Sequence, residues 1–164
     1  MFGPLMTALS RRRPVYAFDL PGNGDSDAPA NTRPTVADFA KDAAAVAGKL
    51  GLKKYDLYGK QSGASVAAEI ATLHPARVGK LILDGVILFS AAERKRLAAH
   101  YTPPIEVTWD GAHLFKTWLM LRDELVFWPW YVRDGKHARA IDGNFHAPWL
   151  HGRVVEVLKS KDTY

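Results

Sequence analysis

The sequence predicts an α/β fold: a parallel sheet with flanking helices, followed by a helical region. Three observations carry that expectation. Short β-branched and aromatic runs alternate with helical patterns through residues 1–89, and each run stops at a turn-forming residue. After Phe89 the β-branched runs vanish, and all five tryptophans lie beyond that point. Strand, helix, strand, helix, strand with apolar strands implies right-handed βαβ units in a sheet covered on both faces.

The elements follow in order. Phe2 to Leu9 is a short apolar helical stretch. Residues 13–19 (R-P-V-Y-A-F-D) read as a strand that stops at Pro21-Gly22. Thr35 opens a helix as N-cap, with Asp38 completing a capping box in its shorter-chain form. Val36, Phe39, Ala43, Val46, Ala47 and Leu50 then recur at helical spacing until Gly51 ends the pattern. Residues 54–58 are a second strand, Ser62 to Leu73 an alanine-rich helix stopped by His74-Pro75, and Val78 to Asp84 a third strand. In the second half Leu114, Trp118, Leu121 and Leu125 hold helical spacing until Pro129 breaks it. Leu150, Val154, Val157 and Leu158 repeat the pattern, with loops expected around Pro103-Pro104 and over residues 142–148. The chain therefore divides into 1–89, the sheet-bearing part, and 90–164, a tryptophan-rich helical part.

Composition narrows the class of protein. The chain has 164 residues, 48% of them apolar, enough for a real core. There are no cysteines, which excludes disulfides and thiolate metal sites and fits a reducing compartment. The apolar start, Met1 to Leu9, precedes the cluster Arg11–Arg13 instead of following it, unlike a signal peptide. The longest apolar runs are about half a membrane span, so a soluble, cytoplasmic protein is expected. The net charge of +5 is spread thinly, with 11 basic against 8 acidic groups before residue 90 and 11 against 9 after it. That pattern fits solvated surface better than a nucleic-acid face.

The most informative segment is D-L-Y-G-K-Q-S-G-A, Asp56 to Ala64. A strand feeds directly into a helix through a turn with glycine at Gly59 and Gly63. In a nucleophile elbow, G-x-S-x-G, the central residue sits on a strained backbone at the tip, between small residues where strand and helix pack tightly. The helix N-terminus points its N–H groups at a developing oxyanion. Aligning Gly59 and Gly63 on the two glycines puts Gln61 in the nucleophile slot. Shifting by one puts Ser62 there, but forces Lys60 into a glycine position. The first register is the better fit. Gln61 has no nucleophilic oxygen or sulfur.

With the loop Asp19-Leu-Pro-Gly-Asn-Gly-Asp-Ser-Asp27, the elbow, and the exit His74-Pro75…Val78…Leu81 to Asp84, the chain resembles the α/β-hydrolase superfamily. The resemblance covers residues 1–89, and residues 90–164 are similar in placement to that family's helical cap. It implies a partial α/β-hydrolase parallel sheet and hydrolysis of an ester or related bond in a small apolar substrate by the complete form. Gln61 and Ser62 are then the catalytic-site positions, Ser62 giving a backbone N–H to the oxyanion hole. The family's order further implies a histidine and acid after the cap, an oxyanion loop before Met1, and a strand between residues 13–19 and 54–58. None of these is found in the 164 residues, so an incomplete triad and an unfilled sheet of marginal stability are expected. The alternative is a non-catalytic small-molecule-binding protein of the same fold.

Other constellations read more plainly. Gly22-Asn23-Gly24 lacks the rest of a phosphate loop, and Asn23, Asp25 and Asp27 lack a calcium loop's Gly and Glu; a turn held by local side-chain bonds is expected. His74 suits a helix end, and His100, His137, His146 and His151 are expected in solvent. Asp110 and His113 lie three apart on an expected helix, which makes His113 a candidate ligand contact. Asp84 is a candidate triad acid, though a structural strand-end role is simpler. Trp118, Phe127 and Trp128 are the candidates for an apolar substrate wall. No metal or cofactor is expected. The expected partner is a small-molecule substrate, with no nucleic acid or membrane and a homo-oligomer left open.

Overall fold

The protein is described by a computed structural model covering residues 2–29, 31, 33–86, 88–100, 106–139 and 146–159. Its elements run α1 (Gly3–Ser10), α2 (Val36–Lys49), β1 (Tyr55–Lys60), α3 (Ser62–Leu73), β2 (Val78–Asp84), α4 (Ala91–His100), α5 (Ala112–Val126) and α6 (Ala147–Leu158).

Local signals act where the sequence placed them. Thr35 Oγ1 accepts from the Asp38 N–H at 3.2 Å, and Asp38 Oδ2 accepts from the Thr35 N–H at 2.9 Å, so both halves of the α2 capping box form. After α2, Gly51 adopts φ 70°, the left-handed conformation that ends a helix at lowest cost in glycine. β1 and β2 pair in parallel, with Leu57 opposite Leu81, Tyr58 opposite Ile82 and Lys60 opposite Asp84. A first core forms where Ala40 and Ala43 of α2 meet Val66 and Ile70 of α3, with Tyr55, Leu57 and Val78 packed against it. The alanines let the two helices approach closely above the sheet. A second core joins Leu121 of α5 to Leu150 and Val154 of α6.

Three expectations need correction. Residues 13–19 form no strand: they join no ladder, and Tyr16 and Phe18 are about half exposed. A strand exists only through a neighbour's hydrogen bonds, and among the described residues the sheet is β1 and β2 alone. At its start Arg13 Nη1 meets Asp56 Oδ2 at 2.8 Å in an exposed ion pair. Among the described residues the sheet is also not covered on both faces: α3 packs on one, while β2 is exposed from Gly79 through Leu83 and Ile82 is 58% accessible. α2 packs on α3, on the same side of the sheet. The region expected as a loop over 142–148 is partly helix, since Ala147 and Pro148 begin α6; residues 142–145 and Pro103-Pro104 lie outside the described residues.

Candidate functional site

The turn between β1 and α3 is built by close approach. A Cβ on Gly59 would stand 2.7 Å from Ala64 Cα and closer still to the Gly63 carbonyl oxygen, so no other residue fits there without moving backbone. Gly63 differs, since a Cβ there would meet nothing within 4 Å. The tight packing expected of both glycines is therefore a property of Gly59 alone.

Gln61 occupies the tip. Its backbone lies at φ 52°, ψ −120°, and among the described residues it is the single non-glycine with positive φ. Such a conformation costs an L-residue ~1–3 kcal/mol and persists only where surroundings enforce it. Two bonds do so: the Gln61 N–H donates to the Asp84 carbonyl at 2.8 Å, and the Ala64 N–H donates to the Gln61 carbonyl at 2.9 Å. The first extends the β1–β2 ladder by one residue, and the second closes the first turn of α3. Ser62 is the first helical residue, not the tip.

Beside the tip, the strand ends assemble a polar group. The Tyr58 hydroxyl donates to Asp84 Oδ2 at 2.6 Å, and Lys60 Nζ stands 3.6 Å from the same oxygen. The Tyr58 bond, helped by Lys60, holds the Asp84 carboxyl below its usual range; the same bond pushes the Tyr58 phenol up. Asp84 thus has two partners within its own sheet, which supports a strand-end structural role. The loop after residue 19 is likewise closed by its own side chains. Ser26 Oγ donates to the Asp19 carbonyl at 2.6 Å, and the Asp25 N–H donates to the Asp19 carboxylate at 3.2 Å.

The remaining site candidates do not gather at this turn. His113 Nδ1 accepts from the Thr108 N–H at 3.2 Å, and Thr108 Oγ1 donates to Asp110 at 2.6 Å. Asp110 precedes α5 instead of lying on it, so this pair closes the helix start. Trp118 packs against the α5–α6 core. Phe127 forms a lone antiparallel bridge with Ala138, while Trp128 stacks on Phe89 at 6.3 Å under the Arg139 guanidinium. Three histidines expected in solvent have partners: His100 stacks on Tyr131 at 3.9 Å, His137 Nδ1 meets Asp134 Oδ1 at 2.8 Å, and His146 Nδ1 accepts from the Trp149 N–H at 3.3 Å. His146 serves as the α6 N-cap. Among the described residues no three His, Asp or Glu groups stand together as metal ligands.

Residues 1–109 match a family model described as the alpha/beta hydrolase fold. Among curated proteins, the chain is 35% identical over 82 residues to "Putative carbamate hydrolase RutD" of Caulobacter vibrioides, covering 50% of this chain and 30% of that protein. It is 33% identical over 98 residues to 2-hydroxymuconate semialdehyde hydrolase of Pseudomonas putida, covering 58% of this chain and 35% of the relative. The chain thus spans about a third of the length of the curated relatives it matches.

Proposed function

The chain belongs to the α/β-hydrolase family, and from that premise we propose that residues 56–64 are its nucleophile elbow, with Gln61 in the nucleophile slot. In its complete form the protein hydrolyses an ester or related bond of a small apolar substrate, as a cytoplasmic enzyme. The observation that carries this reading is the strained tip at Gln61, φ 52°, between a strand and a helix that a Cβ on Gly59 would force apart. Ser62 opens α3, where N–H groups have no intrahelical partner and suit an oxyanion. Residues 90–164 act as the cap.

Gln61 itself favours a second reading. An amide cannot attack a carbonyl carbon, but it donates and accepts hydrogen bonds, as a non-catalytic small-molecule binder requires. One experiment tests the placement of Gln61 and the binder reading together. With p-nitrophenyl acetate, the 164-residue chain is expected to turn over well below ~1 s⁻¹, the low end of ordinary enzyme rates, and Ser62→Ala is expected to leave that rate unchanged. Turnover above that level, abolished by Ser62→Ala, would overturn the placement of Gln61 as the functional tip. Thermal stabilisation by small esters without turnover would favour the binder.

A further inference from the structure

Helix α5 carries two working faces, and α6 covers one of them. Trp118, Leu121 and Leu125 pack against the α6 core, and Met120, at the border of the two faces, packs there as well. Lys116, Leu119, Met120 and Asp123, at i, i+3, i+4 and i+7, form a second stripe, and with the turn beyond Pro129 they line a shallow, open cleft of about 300 Å³. Leu119, Met120 and the buried Trp130 supply its apolar lining. Trp130 and Tyr131 meet edge to face at 5.6 Å and form an aromatic corner, backed by Trp128 against Trp130 at 5.8 Å and by His100 stacked on Tyr131.

Its charges are unequal. Asp123 is 1% exposed, and Arg122 holds it from the same helix, Nη2 to Oδ1 at 2.6 Å. Arg133 Nη2 reaches the other oxygen, Oδ2, at 2.8 Å, at an angle that makes an ion pair and not a directed hydrogen bond. One carboxylate therefore meets two guanidiniums. Lys116 adds a further cation at the cleft. Arg133 has five N–H donors, and the contact to Asp123 uses one edge of the group, so other donors remain to face a ligand.

We propose that this cleft binds a small aromatic monocarboxylate, its ring in the Trp130–Tyr131 corner and its carboxylate between Lys116 and Arg133. The volume lies at the lower end of small-molecule sites, suited to one ring and not to a dinucleotide. An apolar amine is disfavoured because both groups at the rim are cations, while the buried carboxylate is already paired. The proposal shares no residue with the Gln61 turn and does not depend on hydrolysis.

Benzoate tests it, with benzyl alcohol as the same ring without charge and inorganic phosphate as charge without a ring. Saturable binding of benzoate to the full chain, followed calorimetrically and by thermal shift, is expected to exceed that of either comparator. Lys116→Glu, on an exposed position, is expected to weaken benzoate by about tenfold or more, as loss of a charge-assisted bond requires. Arg133→Gln is expected to weaken it similarly, and Lys116→Glu remains decisive if that variant does not fold. Benzyl alcohol binding as tightly as benzoate, affinity unchanged in Lys116→Glu, or no saturation by ~10 mM would each overturn the proposal.

Discussion

Replacing Gly59 by alanine and Gly63 by alanine are expected to have opposite effects, although the two positions look equivalent in the sequence. The Cβ added at Gly59 would stand 2.7 Å from Ala64 Cα, about 0.7 Å inside ordinary van der Waals contact. Both groups it meets are backbone, and one is locked into the first turn of α3 by the bond from Ala64 N–H to Gln61. Neither can rotate aside. Overpacking typically costs ~1–3 kcal/mol, and the absence of a yielding side chain places Gly59→Ala at the upper end. Against a normal margin of ~5–15 kcal/mol the fold survives, with a melting point lower by ~6–12 °C for a chain of this size. A Cβ at Gly63 meets nothing within 4 Å. There alanine removes the entropic penalty of helical glycine, a gain of ~0.5–1 kcal/mol. Urea unfolding of the three proteins, read from the midpoint at constant m-value, measures both differences. Equal stability of Gly59→Ala and the parent would refute the close approach on which the turn is built.

Three further outcomes follow from the same geometry. Gln61→Gly is expected to stabilise the chain by ~0–2 kcal/mol, the relief of a strained φ less the entropy glycine loses on folding; a loss above that range in urea would show that the Gln61 side chain anchors the turn. Burial raises the pKa of Glu124, with Arg153 and Arg139 opposing in part. A carboxyl whose folded pKa is raised holds its proton to higher pH than in the unfolded chain, so stability falls as pH rises above the unfolded value. Glu124→Gln should therefore gain stability relative to the parent at neutral pH and lose that advantage in acid, which denaturation at two pH values will read. Removing both Arg122 and Arg133 strands a buried carboxylate and is expected to cost ~3–5 kcal/mol. Asp123→Asn leaves two half-exposed guanidiniums in water and should cost less, a ranking that equal losses in the two unfolding curves would contradict.

What could be read from the sequence divides by the range of the interaction concerned. The α2 capping box, the glycine after it, and the limits of α3 from Ser62 to Leu73 depend on neighbours a few residues apart, and each is visible in the string. The same logic applies to α4. Ser90 and Glu93 bond reciprocally at its start, a capping box that the Ser-Ala-Ala-Glu spelling encodes within four residues. Residues 13–19 have strand composition, yet strand identity is decided by a neighbour that composition does not name. Trp118 keeps helical spacing with Leu121 and Leu125 on one face of α5, but spacing cannot say that α6 covers that face. The pair Asp123–Arg133 spans the break at Pro129, where no periodicity survives to link them.

The strain at Gln61 does not originate in glutamine. Gly59 lets β1 run close beneath α3, and the Asp84 carbonyl holds the Gln61 N–H at the end of the ladder, so any residue at position 61 inherits the positive φ. Backbone and side chain therefore report different things. The backbone identifies the turn as one that presents a side chain outward beside the helix N-terminus, and it would do so equally for serine. The side chain decides whether the presented group can form a covalent bond, and an amide cannot. On the proposed placement of Gln61, family geometry and hydrolytic competence are separable, and that is why turnover and ligand binding have to be measured side by side.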